Sequence, residues 1–247
     1  MRHRFLFFVM LAAFLVALPF VAKADSFDTL SGWSVNRFPP AVFAIDSTTF
    51  APENVLQLGI RGPAQTDDFY NYQGYGHDFA LSGIEQSVSI DMFVDDAGWA
   101  GMDVDAQFWV RGNDGHGNTS ANAIIEYRQS STNAFDAGFY SFDYENTGDR
   151  RLLTSGISGW NTLTITLDVG AGMQYSIDGV NFSSTTDPLT VNIDRVIVSA
   201  FNSGQDYDVF YDNLTTVGAV PTPSAVSGIG LLAAVVGVRV YRRRRSR

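Results

Sequence analysis

Three places in the chain gather residue types that could do chemistry. The run Asp67-Asp68-Phe69-Tyr70-Asn71-Tyr72-Gln73-Gly74-Tyr75-Gly76-His77-Asp78 interleaves tyrosines with Asn, Gln and Asp. A tyrosine ring offers a flat apolar face, and the neighbouring amides and carboxylates offer hydrogen-bonding edges. A sugar ring presents the complement of both. Tyr70, Tyr72 and Tyr75 are the candidate contacts; the plainer alternative is that they pack beneath a loop.

The second place is the segment pair Met102-Asp103-Val104-Asp105-Ala106-Gln107-Phe108-Trp109 and Ala137-Gly138-Phe139-Tyr140-Ser141-Phe142-Asp143-Tyr144. In an extended strand Asp103, Asp105 and Gln107 share one face, opposite Val104 and Phe108. Carboxylates at i and i+2 stand about 6 to 7 Å apart, near the separation of a glycosidase acid and base. Saccharide binding or simple solvation explains the same polar face.

The third is a candidate metal site. Gly112-Asn113-Asp114-Gly115-His116-Gly117-Asn118 and Asp206-Tyr207-Asp208 are turn-like segments rich in oxygen ligands. Ca²⁺ takes six to eight oxygens, so Asp114, Asp206 and Asp208 could hold a structural calcium if their loops meet. Calcium is the only cofactor implied. Neither segment has the spacing of an EF-hand loop. Zinc is disfavoured because His77 and His116 have no partner at ligand spacing, and Gly156-Ile157-Ser158-Gly159 lacks the spacing of a hydrolase nucleophile elbow.

The elements that must position these residues are strands. Val55 to Ile60, Glu85 to Val94 and Thr162 to Asp168 alternate apolar and polar residues with a period of two. Asn113-Asp114-Gly115 and Asp178-Gly179 are turn signals, and the second predicts a hairpin of Met173 to Ile177 with the segment after Val180. No useful helical periodicity, internal repeat or linker interrupts the chain before about Val217. The pattern predicts an antiparallel sandwich forming one domain over residues 25–217.

The runs Gly159 to Ile165, Gln174 to Gly179, Ile193 to Val198 and Val209 to Leu214 follow one another as a W-x-x-L-x-I strand, a Y-x-I-D-G hairpin and a last strand ending in D-N-L. This order resembles the closing half of a concanavalin A-like or laminin-G jelly roll. Phe27 to Trp33 and Val55 to Ile60 fit the first strand pair of that fold. The resemblance implies an all-β, antiparallel jelly-roll sandwich, a fold used by glycan-binding modules, adhesive domains and some glycanases. The glycanases carry an E-x-D-x-x-E strand motif, which this chain lacks.

Charge narrows the partners. Between residues 25 and 217, seven arginines stand against all 26 acidic residues and there is no lysine, leaving −19. Nucleic acid and an anionic bilayer surface would be repelled. The aspartate excess suits a solvated surface in a salty medium, or calcium. Cysteine is absent, so an exported domain would rely on its core.

Both ends read as addresses. Arg2, His3 and Arg4 precede the apolar run Phe5 to Val21 and Ala22-Lys23-Ala24, the form of a signal peptide over residues 1–24. At the other end residues 218–247 begin with Val220-Pro221-Thr222-Pro223-Ser224-Ala225. An apolar run over 225–238 follows, then a basic end over 239–247 containing Arg242, Arg243, Arg244 and Arg245. Fourteen helical residues reach about 21 Å, short of a comfortable span. The arginines hold this end in the cytoplasm. This tail resembles the tripartite PEP-CTERM signal of Gram-negative bacteria, although Thr222 stands where that motif usually has Glu. The resemblance implies transient insertion in the inner membrane, processing by an exosortase, and release to the cell surface or beyond; a permanent anchor is the alternative.

Together these features predict a non-catalytic β-sandwich of the envelope or extracellular matrix that binds extracellular polysaccharide. Two alternatives stand beside it: a jelly-roll glycanase or lyase using Asp103 or Asp105, and a structural matrix protein without a specific ligand.

Overall fold

The computed structural model describes residues 27–62, 71–132, 136–143, 145, 150–155 and 157–219. Among them run fourteen strands: β1 (Trp33–Arg37), β2 (Val42–Asp46), β3 (Val55–Ile60), β4 (Tyr72–Asp78), β5 (Ser82–Val94), β6 (Val104–Asn113), β7 (Thr119–Gln129), β8 (Gly138–Asp143), β9 (Arg151–Ser155), β10 (Gly159–Asp168), β11 (Gly172–Ile177), β12 (Val180–Thr186), β13 (Asn192–Phe201) and β14 (Tyr207–Ala219). The expected signal peptide, Tyr70, the expected sorting motif at Val220, Pro221 and Pro223, the apolar run and Arg242 to Arg245 lie outside the described residues.

The strands form two seven-stranded sheets. The first has the order β1-β4-β13-β6-β7-β8-β9, the second β12-β11-β10-β5-β14-β3-β2. Every strand pair within them is antiparallel. This is the expected two-sheet jelly-roll sandwich. The period-two alternation explains why the sheets face each other. In β5 Val88, Ile90, Met92 and Val94 are buried while Ser87, Ser89, Asp91 and Phe93 are half-exposed. Val104, Ala106, Phe108 and Val110 of β6 meet them in one core with Val196, Val198 and Ala200 of β13.

The segments matched to the closing half of a jelly roll are strands, as expected. Asp178 and Gly179, with φ of 51° and 76°, make the two-residue turn joining β11 and β12. A primed turn of this kind needs positive φ at both positions and matches the twist of the paired strands. The opening differs from expectation. Phe27 to Gly32 is not a strand; β1 begins at Trp33 and pairs with β4, whereas β3 lies in the opposite sheet beside β2 and β14. These segments are therefore not a strand pair.

Buried polar groups tie the layers together. Gln86 accepts a hydrogen bond from the Ile193 amide at 2.8 Å and donates to the Val191 carbonyl at 2.8 Å. The Tyr211 hydroxyl, on β14, donates to the backbone carbonyl of Gln107 on β6 at 3.0 Å. An unpaired polar group at this depth would cost about 1 to 3 kcal/mol, so these bonds help fix the sheet register. The second of them anchors the strand that carries the site.

Candidate functional site

Because β6 buries its even-numbered residues between the sheets, Asp105, Gln107, Trp109 and Arg111 project from the outer face of the first sheet. Register sets Glu126 of β7 opposite Gln107, and Arg128 opposite Asp105. On the other side Ser199 of β13 pairs with Gln107.

Gln107 organises this face. Its Nε2 donates to Asp105 Oδ1 at 2.8 Å and to Glu126 Oε2 at 3.0 Å, while its Oε1 accepts from Trp109 Nε1 at 2.7 Å and Ser199 Oγ at 3.1 Å. An indole N–H can only donate, so Oε1 must face Trp109 and Nε2 must face the carboxylates. All four hydrogen-bonding positions of the amide are used. Arg150 Nε donates to Glu126 Oε1, and Arg128 Nε lies 3.5 Å from Asp105 Oδ2. The Tyr72 hydroxyl is 3.4 Å from Asp105 Oδ2. Burial, and next the neighbouring charge of Glu126, push the Asp105 carboxyl up to about 8.

Over this network lies a groove of about 690 Å³. Its floor is an apolar cluster on the outer face, Trp109, Ile124 and Ile197 with Phe142. Around it stand Asn36, Arg37, Tyr72, Gln107, Arg111, Asn122, Glu145, Arg150, Arg195 and Phe201. Asp105 and Glu126, 7% and 0% exposed, are beneath the wall rather than part of it. Glu145 is the one carboxylate among the described lining residues. Arg195 lies flat across β4 because Gly76 has no side chain there: a Cβ at Gly76 would fall 2.4 Å from Arg195 Nε.

The predicted contacts separate. Tyr72 lines the groove, edge-on to Phe201 with centroids 5.0 Å apart. Tyr75 does not: its ring stacks on Phe43 of β2, in the opposite sheet, with centroids 3.8 Å apart. The segment expected to be a loop is strand from Tyr72 onward, and residues three apart on a strand take opposite faces. Asp103 also departs from expectation. It precedes β6, and its Oδ1 accepts from the Ser131 amide at 2.7 Å and the Ser131 hydroxyl at 3.0 Å. Asp105 alone of the pair joins the network.

The shared calcium site does not form. Asp114 caps the β6–β7 turn, accepting from the amides of His116 and Asn118. Asp206 accepts from the Gly62 amide at 2.7 Å, and Asp208 pairs with Arg61 at 2.9 Å. Gln205, next to Asp206, bonds the Asp103 amide at the other end of β6, so the two loops stand about 30 Å apart along that ten-residue strand. Among the described residues no group of three His, Cys, Asp or Glu side chains is placed to hold a metal.

Sequence reasoning missed Glu126 and the arginines. A usable signal was present in β7, where Asn122, Ile124, Glu126 and Arg128 alternate with the core residues Ala123, Ile125 and Tyr127.

No protein-family model matches the chain, and no curated protein matches it in sequence. Solved structures match in fold. A sialidase superposes with a TM-score of 0.53 at 13% identity over 81% of this chain, which spans 19% of that protein. A cellulose induced protein, Cip1, superposes with a TM-score of 0.53 at 10% identity over 80% of this chain and 97% of that one. The alginate lyase Aly36B does so with a TM-score of 0.50 at 13% identity over 78% of this chain and 99% of that one. At these identities the likeness is one of fold.

Proposed function

We propose that this protein is an exported, non-catalytic β-sandwich that holds a polysaccharide in the groove of its first sheet. The observation carrying the reading is the groove: an apolar floor with amide and guanidinium donors around it, laid across the antiparallel strands of the first sheet. A concavity of a few hundred Å³ with an apolar floor and a few fixed polar groups suits sugar rings. The folds it resembles include proteins named for action on, or induction by, glycans, which is consistent with this reading. The signal peptide and the tripartite tail support export, transient insertion in the inner membrane and exosortase processing, with the mature protein at the cell surface or outside it.

Retention of the full chain on the producing organism's extracellular polysaccharide tests the binding reading. Saturable retention supports it; none sinks it and leaves a structural matrix protein. The intact mass of the native protein tests the sorting reading: a species running from Asp25 to near Pro223 supports processing, and one retaining Arg247 makes the tail an anchor.

The raised carboxyl of Asp105, joined through Gln107 to Glu126, favours a second reading, a glycanase or lyase. A catalytic acid must touch the scissile bond, and both carboxylates lie beneath the groove wall. Release of new reducing ends, lost in Asp105→Asn, would establish this reading against the first.

A further inference from the structure

Three of the four aromatic rings that line the groove, Tyr72, Trp109 and Phe142 but not Phe201, are already covered by a guanidinium. The Arg37 guanidinium lies 4.8 Å from the Trp109 ring centroid and 5.5 Å from that of Tyr72, and Arg150 lies 5.0 Å from that of Phe142. A neutral glycan is held largely by stacking on open ring faces. Here a ligand meets the N–H edges of guanidinium groups instead.

Those groups are scarce elsewhere. Of the seven arginines between residues 25 and 217, four line this groove. Arg111 and Arg195 meet Asp194 and Asp78, and Arg150 meets Glu126. Arg37 differs: no described carboxylate lies within ion-pair distance of it, although acids outnumber arginines 26 to seven in this part of the chain. Its backbone is also unusual, with φ of 64° at the end of β1. Regular alternation would turn Arg37 to the face of Trp33 and Val35; the left-handed backbone breaks the alternation, and its guanidinium stands over Trp109 on the opposite face. Such a conformation costs a branched-free, non-glycine residue on the order of 1 kcal/mol and persists where the surroundings hold it.

We propose that the groove takes an acidic polysaccharide, a polyuronate, and that Arg37 grips one of its carboxylates. This narrows the polysaccharide reading above and rests on it. A guanidinium held over a ring presents a planar fork of donors, the match for a planar carboxylate. The rest of the domain steers the ligand. Five arginines at this face (37, 111, 128, 150 and 195) stand against the described carboxylates Asp78, Glu126, Glu145 and Asp194, while burial keeps the Asp105 carboxyl largely protonated at neutral pH, so the groove is neutral to slightly positive on a domain of −19. A polyanion is repelled from the remaining surface and admitted here.

The test is affinity electrophoresis of the full chain in mild detergent, through gels containing polygalacturonate, polymannuronate, polyglucuronate, neutral mixed-linkage β-glucan or dextran sulfate. Retardation by at least one polyuronate and not by β-glucan is expected, with Arg37→Gln weakening it about tenfold at an unchanged melting temperature. Equal retardation of Arg37→Gln and the parent overturns the assignment of Arg37. Retardation by β-glucan alone, or by dextran sulfate as strongly as by any polyuronate, overturns the uronate inference while leaving polysaccharide binding intact. Retardation by none of these, with no retention on the organism's own polysaccharide, overturns both.

Discussion

Trp109 donates its indole N–H to Gln107 Oε1 at 2.7 Å, and this one bond orients the amide that separates Asp105 from Glu126. Gln107→Glu would put a third carboxylate where Nε2 now serves two. The change should destabilise the protein by about 2 to 4 kcal/mol, because it buries an unmatched charge and removes two donors. Denaturant unfolding measures it; a shift under about 0.5 kcal/mol would mean the network is not formed.

Stability should fall as pH rises through the neutral range because of Asp105. Its folded carboxyl is held at about 8, well above the ordinary aspartate value of about 4. Between those values the folded state binds more protons than the unfolded state, so raising the pH favours unfolding, by up to about 1.4 kcal/mol per pH unit. The contribution is whole below about pH 4 and lost as pH passes 8. Unfolding midpoints between pH 5 and 8 should show this slope, and Asp105→Asn should flatten it.

The two tyrosines make opposite predictions. Tyr75→Ala removes a half-buried ring stacked on Phe43 of the opposite sheet and should cost about 1 to 3 kcal/mol without altering the groove. Tyr72→Ala should cost less and weaken polysaccharide retention. The pair is checked by measuring melting temperature and retention together.

The difference between those tyrosines shows what the sequence could and could not convey. Period-two runs such as Thr162 to Asp168 identified strands because burial on one face leaves a local pattern. The turn at Asp178-Gly179 was equally legible, since its geometry demands those residue types. The groove was not, because it is assembled from β1, β4, β6, β7, β8 and β13, whose order in the sheet is no function of nearby sequence. Glu126 becomes a partner of Gln107 only through register. The pairing of Asp103 with Asp105 failed for a local reason: β6 starts one residue after Asp103, which the Ser131 turn captures.

Gly76→Ala tests the bed on which Arg195 lies. Its Cβ would meet only the far end of that side chain, so the guanidinium should swing away from Asp78 while the sheet survives. The exposed ion pair contributes at most about 1 kcal/mol, so stability should barely move while retention weakens. A large fall in melting temperature with unchanged retention would contradict this placement.

The central claim is that the ligand sits on the outer face of the first sheet. Hydroxyl-radical footprinting of the full chain, with and without the organism's extracellular polysaccharide, reads this directly. Added polysaccharide should protect Tyr72 and Phe142 from oxidation and leave Trp160 of the opposite sheet, 36% exposed, as reactive as before. Protection of Trp160 with Tyr72 and Phe142 unchanged would contradict the account.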